Sequence, residues 1–497
     1  MTSTKDVVIG VDVGTSSTKG VLVTTDGKIL ARTERRHVVD NPRPGWFETD
    51  PATWWDEFVS IARELTALRP DRPVAAVGVS GMGPCVLLTD ERDRPVRPAI
   101  LYGIDTRAGR QIERLDAELG GDEILRRCGS ALSSQAAGAK IAWVADEEPA
   151  AFADAKRLFM PSSWLVRRLT GAYVLDHHSA SQCTPLYDVH RLDWYRPWVE
   201  RICPGLELPP LLWSGDRAGE VTAEAAGLTG IPAGTPVVAG TVDAWAEAVS
   251  AGAHEVGDLM LMYGTTMFLV HTVDEPLSGP ALWGTVGALP GTRTLAGGLA
   301  TSGSITAWVR DLTGSDFATL VGEAARSSPG ANNLLVLPYF SGERTPIMDP
   351  QARGVVVGLT LAHTRGDLYR AVLEGVGFAV RHNLEAFAEA GGDIRRVVAV
   401  GGGVQGALWT QIVSDITGRA QVIPTHTIGA SLGMAFLAAG LVSEPVLEQW
   451  NPPAEVREPD PAVRDLYDDL YDAYRRLYPD TAEVVHRLAR RQEEASS

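Results

Sequence analysis

Short apolar runs separated by glycine, proline and charged residues fill the first part of the chain, with the length and β-branched content of strands. Residues 7–13 predict a buried strand and 20–24 a second, and Asp26-Gly27 predicts a turn into a third over 28–34. From Pro51 to Leu68 the pattern becomes helical: Asp50 fits the cap and Pro51 the first helical position. Residues 74–80 predict a short apolar strand ending in a glycine-rich loop, and the charged, periodic residues 106–127 predict a helix. A long polar and aromatic middle follows, through about 230.

Near 240 the pattern restarts. Residues 236–241 predict a strand, Asp243 follows it, and small residues predict a helix from about 244 to 252. Leu259-Met260-Leu261-Met262, then Gly264-Thr265-Thr266, then Met267-Phe268-Leu269-Val270 read as strand, turn, strand. The same order occurs at the start, where Val7 to Val11 leads to Gly14-Thr15 and on to Gly20 to Val23. A helix is predicted over 366–390, a buried strand over 396–400 ending in Gly401-Gly402-Gly403, and a helix over 408–417. Tyr467, Leu470, Tyr471, Tyr474, Leu477 and Tyr478 recur at helical spacing and predict an amphipathic helix over 459–478, packed on the surface. Two α/β halves with a joint near 240 are expected, as domains 1–241 and 242–440, with 441–497 as a helical tail on the second.

The length of 497 residues exceeds what one core serves, in keeping with more than one domain. Apolar residues at 45% and charged residues at 22% are ordinary for a globular enzyme. Forty-five basic against 62 acidic residues leave a formal charge of −17. That argues against nucleic acid and anionic membrane as partners, since both require a basic face. An anionic nucleotide can still be held locally by amides, hydroxyls and a metal. Cys85, Cys128, Cys183 and Cys203 show no metal-type spacing and predict reduced thiols in the cytoplasm. Met1-Thr2-Ser3-Thr4-Lys5-Asp6 leads straight into a strand with no signal peptide, and no apolar run reaches about 18 residues, so no membrane span is expected.

The repeated Gly-Thr hairpin is the strongest chemical signal. Glycine lets backbone approach a ligand closely, and turn amides with nearby hydroxyls bind phosphate oxygens. Two such hairpins facing each other across a cleft would grip a nucleotide triphosphate. Asp12 stands at a strand end beside the first turn, placed to hold magnesium directly or through water; a turn-stabilising aspartate is the alternative. Thr15, Ser16 and Ser17 add hydroxyls, and Lys19 adds either a cation for phosphate or a solvated strand residue. Asp243, at a strand tip, is placed to accept a proton from a substrate hydroxyl or to cap the following helix, and both roles are compatible. Gly401-Gly402-Gly403 suits close approach to adenine or ribose but is not the dinucleotide fingerprint. Trp46, in Gly45-Trp46-Phe47-Glu48, walls a small-molecule pocket or packs on the domain. Asp105 and Arg107 follow an apolar run and either hydrogen-bond a polyol or form a surface ion pair.

Taken together these residues resemble the FGGY carbohydrate kinases, and within them the xylulokinases, over nearly the whole chain. Asp12-Val13-Gly14-Thr15 is similar to the first phosphate loop and Gly264-Thr265-Thr266 to the second. Gly45-Trp46-Phe47-Glu48-Thr49-Asp50-Pro51 is similar to the family's G-W-x-E-x-D-P segment, and Lys140-Ile141-Ala142-Trp143 to its first signature. Leu337-Pro338-Tyr339-Phe340-Ser341-Gly342-Glu343-Arg344-Thr345-Pro346 resembles a xylulokinase-type loop, and Gly354 through Glu374 the second signature. Gly401-Gly402-Gly403 with Leu408-Trp409 and Asp415 is similar to the adenosine loop and its helix, and Asp243 falls where the family keeps its catalytic base.

The resemblance implies two ribonuclease H-like domains of the actin and hexokinase ATPase type facing a central cleft. It implies ATP and magnesium as cofactors, a sugar as acceptor, and a possible homodimer. ATP would meet Gly14, Thr15, Ser16, Lys19, Gly264, Thr265, Thr266 and Gly401 to Gly403, with the metal at Asp12. The acceptor would meet Trp46, Gly83, Pro84, Asp105, Arg107 and Asp243. The expected reaction is phosphorylation of D-xylulose to D-xylulose 5-phosphate. Ribulose, gluconate, erythritol or another polyol, or a non-catalytic sugar- or ATP-binding regulator, are the alternatives. Two departures bear on the acceptor. The family's Met-His is replaced by the loop Ser80-Gly81-Met82-Gly83-Pro84-Cys85, and its Trp-Asn-Asp-x-Arg by Tyr102-Gly103-Ile104-Asp105-Thr106-Arg107. A lost buried hydrogen-bonding group can change discrimination by orders of magnitude.

Overall fold

The computed structural model describes residues 6–68, 72–279 and 281–496; the leader expectation, resting on Met1 to Lys5, lies outside them. Two compact units are present. One comprises Met1–Val256, Thr272–Thr294 and Ile428–Pro452, and the other Gly257–His271, Leu295–Thr427 and Pro453–Ser497. The stretches interleave along the chain, where the sequence suggested one joint near 240 and a separate tail.

In the first unit the opening hairpin, Val7–Val13 with Ser17–Thr24, continues into Ile29–Arg36. On its other side Val7–Val13 pairs in parallel with Val74–Gly81, which in turn pairs in parallel with Pro236–Val238 and Thr241–Val242. The expected strand over 236–241 is thus broken, because Gly240 takes a φ of +80°. Helix Pro51–Ala67 covers one sheet face with Trp54, Phe58, Ile61 and Leu65, and Asp50 caps it by accepting from the Ala52 amide. Residues 106–127 are not one helix: Gly120, at φ +82°, separates Gly109–Leu119 from Gly121–Cys128.

Helix Ala430–Ala439 belongs to this unit for a packing reason. It is rich in small residues and buried almost all round. It lies so close to the sheet that a Cβ on Gly10 would be 1.9 Å from the Ser431 carbonyl oxygen, and one on Gly78 2.2 Å from that of Met434. On its other side a Cβ on Gly433 would be 1.9 Å from the Ala246 carbonyl oxygen, in helix Asp243–Ala251. The glycines and alanines form flat contact surfaces, so this helix wedges between the sheet and the helix that starts at Asp243. The small residues after Asp243 serve helix packing.

The second unit repeats the first motif. Asp258–Tyr263 and Met267–Val273 form an antiparallel hairpin, and Asp258–Tyr263 pairs in parallel with Arg396–Val400. Gln421–Pro424 and Pro453–Arg457 extend the sheet. Helix Arg365–Glu389 begins with a capping box between Thr364 and Asp367, and Ala407–Thr417 packs beside it. The tyrosine-rich segment is helical over Arg464–Ser496, longer than expected. Tyr467 donates to Glu374 and meets Phe378 edge-on, and the Tyr474 hydroxyl meets that of Tyr339 at 2.8 Å, so its aromatic stripe is core within the second unit. The four cysteines are buried and free. Among the described residues no helix is long and apolar enough to cross a membrane.

Candidate active site

Parallel pairing fixes the first group of residues. Asp12, Ser80 and Thr241 stand in register on adjacent strands, at the carboxyl ends where open α/β sheets bind ligands. Asp12 accepts a hydrogen bond from the Ser80 hydroxyl at 2.8 Å. Two residues past Thr241, Asp243 is the first residue of its helix and not the cap, a position taken by Val242. Among the described residues its carboxylate accepts only from the adjacent Ala244 amide, at 2.7 Å.

Asp12 and Asp243 are both half-buried. Burial raises the Asp243 carboxyl well above the usual carboxylate range, and the charges of Asp12 and Glu247 raise it further. Burial also raises Asp12, against the Ser80 hydrogen bond and Lys19. Glu247, pushed up to about 7 by burial and by Asp12, is a third carboxylate that the motif reading missed. Its signal was legible, since it lies four residues after Asp243 on the same helix face.

These carboxylates fit a magnesium ion of one kind. No cluster of three or more acidic, histidine or cysteine side chains among the described residues is disposed to cage a metal. Magnesium keeps most of its waters and takes one or two carboxylates with substrate phosphates, and Asp12 suits that arrangement.

The first Gly-Thr turn closes through the Gly14 amide on the Ser17 carbonyl at 2.9 Å. Thr15 is half-buried with its hydroxyl 2.9 Å from that of Tyr102, Ser16 is exposed, and Lys19 is exposed opposite Asp12 in the hairpin register. The loop holding Gly83 and Pro84 lies against Val242, since a Cβ on Gly83 would be 2.7 Å from that side chain. Burial pushes the neighbouring Cys85 thiol up to about 12, and Lys140, Asp243 and Asp105 are all close enough to act on it.

Asp105 and Arg107 do not form a surface ion pair. Both side chains are 0% exposed, with Arg107 Nη2 2.7 Å from Asp105 and Nη1 2.7 Å from Glu48. Asp105 also accepts from the Phe47 amide at 2.7 Å, and the Arg107 guanidinium lies 4.2 Å from the Trp46 ring centroid and 4.9 Å from that of Trp143. Both carboxylate oxygens are engaged by protein donors, so this pair braces the loops of Trp46 and Tyr102, and a direct hydroxyl contact is not open to it here.

In the second unit the other expected residues line a cavity of about 590 Å³. Gly264 and Thr265 form one wall, Gly402 and Gly403 another, and Tyr369 and Trp409 supply aromatic surface. The three glycines differ in purpose. Gly401 takes φ +91°, and a Cβ there would be 2.5 Å from the Tyr263 carbonyl oxygen; one on Gly403 would meet Tyr263 and Trp409. A Cβ on Gly402 would meet nothing within 4 Å, so that residue leaves its space to a ligand. Thr266 and Gly401 are not part of the lining and support it from the hairpin and strand end. Sequence reading missed Ser304 and Tyr369, which reach the cavity from distant segments with no local signal.

Two family models divide the chain much as these two sites do. Residues 7–250 match the N-terminal domain of the FGGY family of carbohydrate kinases, and residues 259–441 match its C-terminal domain. The chain belongs to the FGGY family of carbohydrate kinases. Among FGGY relatives, the xylulose kinase of Escherichia coli K12 is 31% identical over 479 residues, covering 95% of this chain and 98% of the relative. The gluconokinase of Bacillus subtilis is 28% identical over 86% of each chain. The crystal structure of xylulose kinase from Rhodospirillum rubrum superposes with a TM-score of 0.91 at 32% identity, covering 97% of this chain and all of the other. The two-unit α/β architecture is thus that of FGGY kinases, and the protein is a carbohydrate kinase.

Proposed function

We propose that this kinase transfers the γ-phosphoryl group of ATP to a hydroxyl of a neutral sugar, D-xylulose, with Asp243 as general base. The observation that carries this reading is the Asp12–Asp243 pair: two half-buried carboxylates at strand ends on either side of Val74–Gly81, Asp243 being raised well above the usual carboxylate range by burial and like charge. Asp243 takes the proton of the acceptor hydroxyl as that oxygen attacks the γ-phosphorus, and ADP departs with the electron pair of the broken bond. Gly264, Thr265, Thr266 and Gly401 to Gly403 hold the nucleotide, while the turn Gly14, Thr15, Ser16 and nearby Lys19 bind phosphate oxygens. Asp12 holds magnesium directly or through water, and the ion supplies charge neutralisation on the phosphates. Positioning and electrostatics account for most of the acceleration in such transfers.

For the acceptor, Trp46, Gly83 and Pro84 form walls, and Asp105 with Arg107 shapes the loop behind them. Charge favours xylulose over an aldonate such as gluconate. Arg107 is committed to Asp105 and Glu48, Arg97 to Glu48 and Glu148, and Lys140 to two carbonyls. Asp12, Asp243 and Glu247 meanwhile repel a carboxylate. A coupled ADP-release assay over D-xylulose, D-ribulose, erythritol, glycerol and D-gluconate tests the choice, with D-xylulose expected to give the highest kcat/KM and D-gluconate to be a poor acceptor. Asp243→Asn is expected to keep the fold and nucleotide binding and lose roughly three decades of turnover. A gluconate preference overturns the acceptor, and near-normal turnover in the variant overturns the base.

A further inference from the structure

We propose that Tyr102 is a positioning residue whose hydroxyl braces the first phosphate turn against the acceptor loop, so that the loop behind the acceptor walls also sets the turn meeting phosphate. This rests on the kinase reading above.

The base of the brace is rigid. Lys140, itself fully buried, donates through Nζ to the Leu101 and Tyr102 carbonyls, both at 2.7 Å. The Tyr102 carbonyl also accepts from the Asp105 amide at 2.9 Å, and the Leu101 amide donates to the Phe47 carbonyl at 3.0 Å. One residue on, the Gly103 amide donates to Gln135 at 3.0 Å and its carbonyl accepts from the Ser134 hydroxyl at 2.8 Å. Beyond it lies the Asp105–Arg107–Glu48 network. The backbone beneath Tyr102 is therefore held from several sides, and an aromatic side chain with two torsions carries that rigidity outward at little entropic cost.

The other end needs support. Thr15 sits at the tip of a turn whose neighbours Gly14 and Ser16 are half-buried and exposed. The tip is tied by the Gly14–Ser17 bond, by the His37 amide on the Ser16 carbonyl at 3.1 Å, and by the 2.9 Å contact between the Thr15 and Tyr102 hydroxyls. That last bond joins residues 87 positions apart and is a side-chain link from the turn to the acceptor loop.

The test uses the full-length enzyme with ATP and D-xylulose. Tyr102→Phe removes the hydroxyl and keeps the ring, and Thr15→Val removes the other partner at constant shape. Tyr102→Phe is expected to raise KM for ATP, and the dissociation constant for ADP measured by titration without turnover, by about two- to tenfold. KM for D-xylulose is expected to stay within about twofold, because Lys140 still holds the loop. In a Thr15→Val background, adding Tyr102→Phe is expected to change nothing further. Independent effects that multiply in the double variant overturn the brace, as does a rise in xylulose KM with ATP and ADP binding unchanged. Wild-type turnover separates the two claims: if the enzyme turns over ATP with D-xylulose while the Tyr102 and Thr15 effects multiply, the brace alone fails, and if the wild type shows no turnover with any acceptor, the kinase reading fails first.

Discussion

Glu343→Gln is expected to stabilise the second unit at pH 8 and to have almost no effect at pH 5. Glu343 is 5% exposed, and its one engaged oxygen accepts the Ala300 and Arg344 amides at 2.9 and 2.7 Å. The other oxygen is buried with no hydrogen-bond partner among the described residues. Burial pushes the carboxyl from 4.5 to about 7, against the pull of those two amides and Arg344. The native state therefore binds more protons than the unfolded chain between those values, and this group's contribution to stability falls as pH rises through that window. At about 1.4 kcal/mol per pH unit, the charged form costs about 3 kcal/mol at pH 8 and under about 1 kcal/mol at pH 5. Glutamine keeps the carbonyl acceptor for both amides and removes the charge. It also buries an amide group facing no acceptor, which costs about 1 kcal/mol. The net gain at pH 8 is about 2 kcal/mol, or roughly 4–8 °C in the melting temperature of a unit this size. Differential scanning calorimetry at the two pH values, following the second unit's transition, measures it. An equal shift at both pH values, or destabilisation at pH 8, refutes the reasoning.

Two further perturbations test the first unit. Glu247→Gln removes one of the negative charges that raise Asp243, so Asp243 should stay ionised to lower pH and the acid limb of the kcat/KM profile should move down in pH; a limb that stays put or moves up shows that Asp243 does not control it. Gly10→Ala places a Cβ 1.9 Å from the Ser431 carbonyl oxygen and forces helix Ala430–Ala439 off the sheet. A loss of about 1–3 kcal/mol is expected, with reduced turnover because the same helix supports the one bearing Asp243; an unchanged melting temperature speaks against the wedge.

The sequence by itself determined the elements whose signals are local. The two Gly-Thr hairpins, the capped helices at Pro51 and Arg365 and the strand at Arg396 follow from period, turn chemistry and caps within a few residues. Asp12, Asp243 and the three glycines after Val400 were legible for the same reason, since each stands where a strand ends. Tertiary structure decided what depends on distant neighbours. Asp105 and Arg107 look like a surface pair along the chain, but Glu48 and two tryptophans bury them, so they hold a loop where a sugar contact was expected. Helix Ala430–Ala439 joins the first unit because Gly10, Gly78 and Gly433 permit backbone contact across four hundred residues, and small residues carry no local mark of the surface they will meet. Burial likewise set the proton affinities of Asp243, Glu247 and Glu343, because desolvation and like charge depend on what the fold brings near, and a sequence position has neither until the chain has packed.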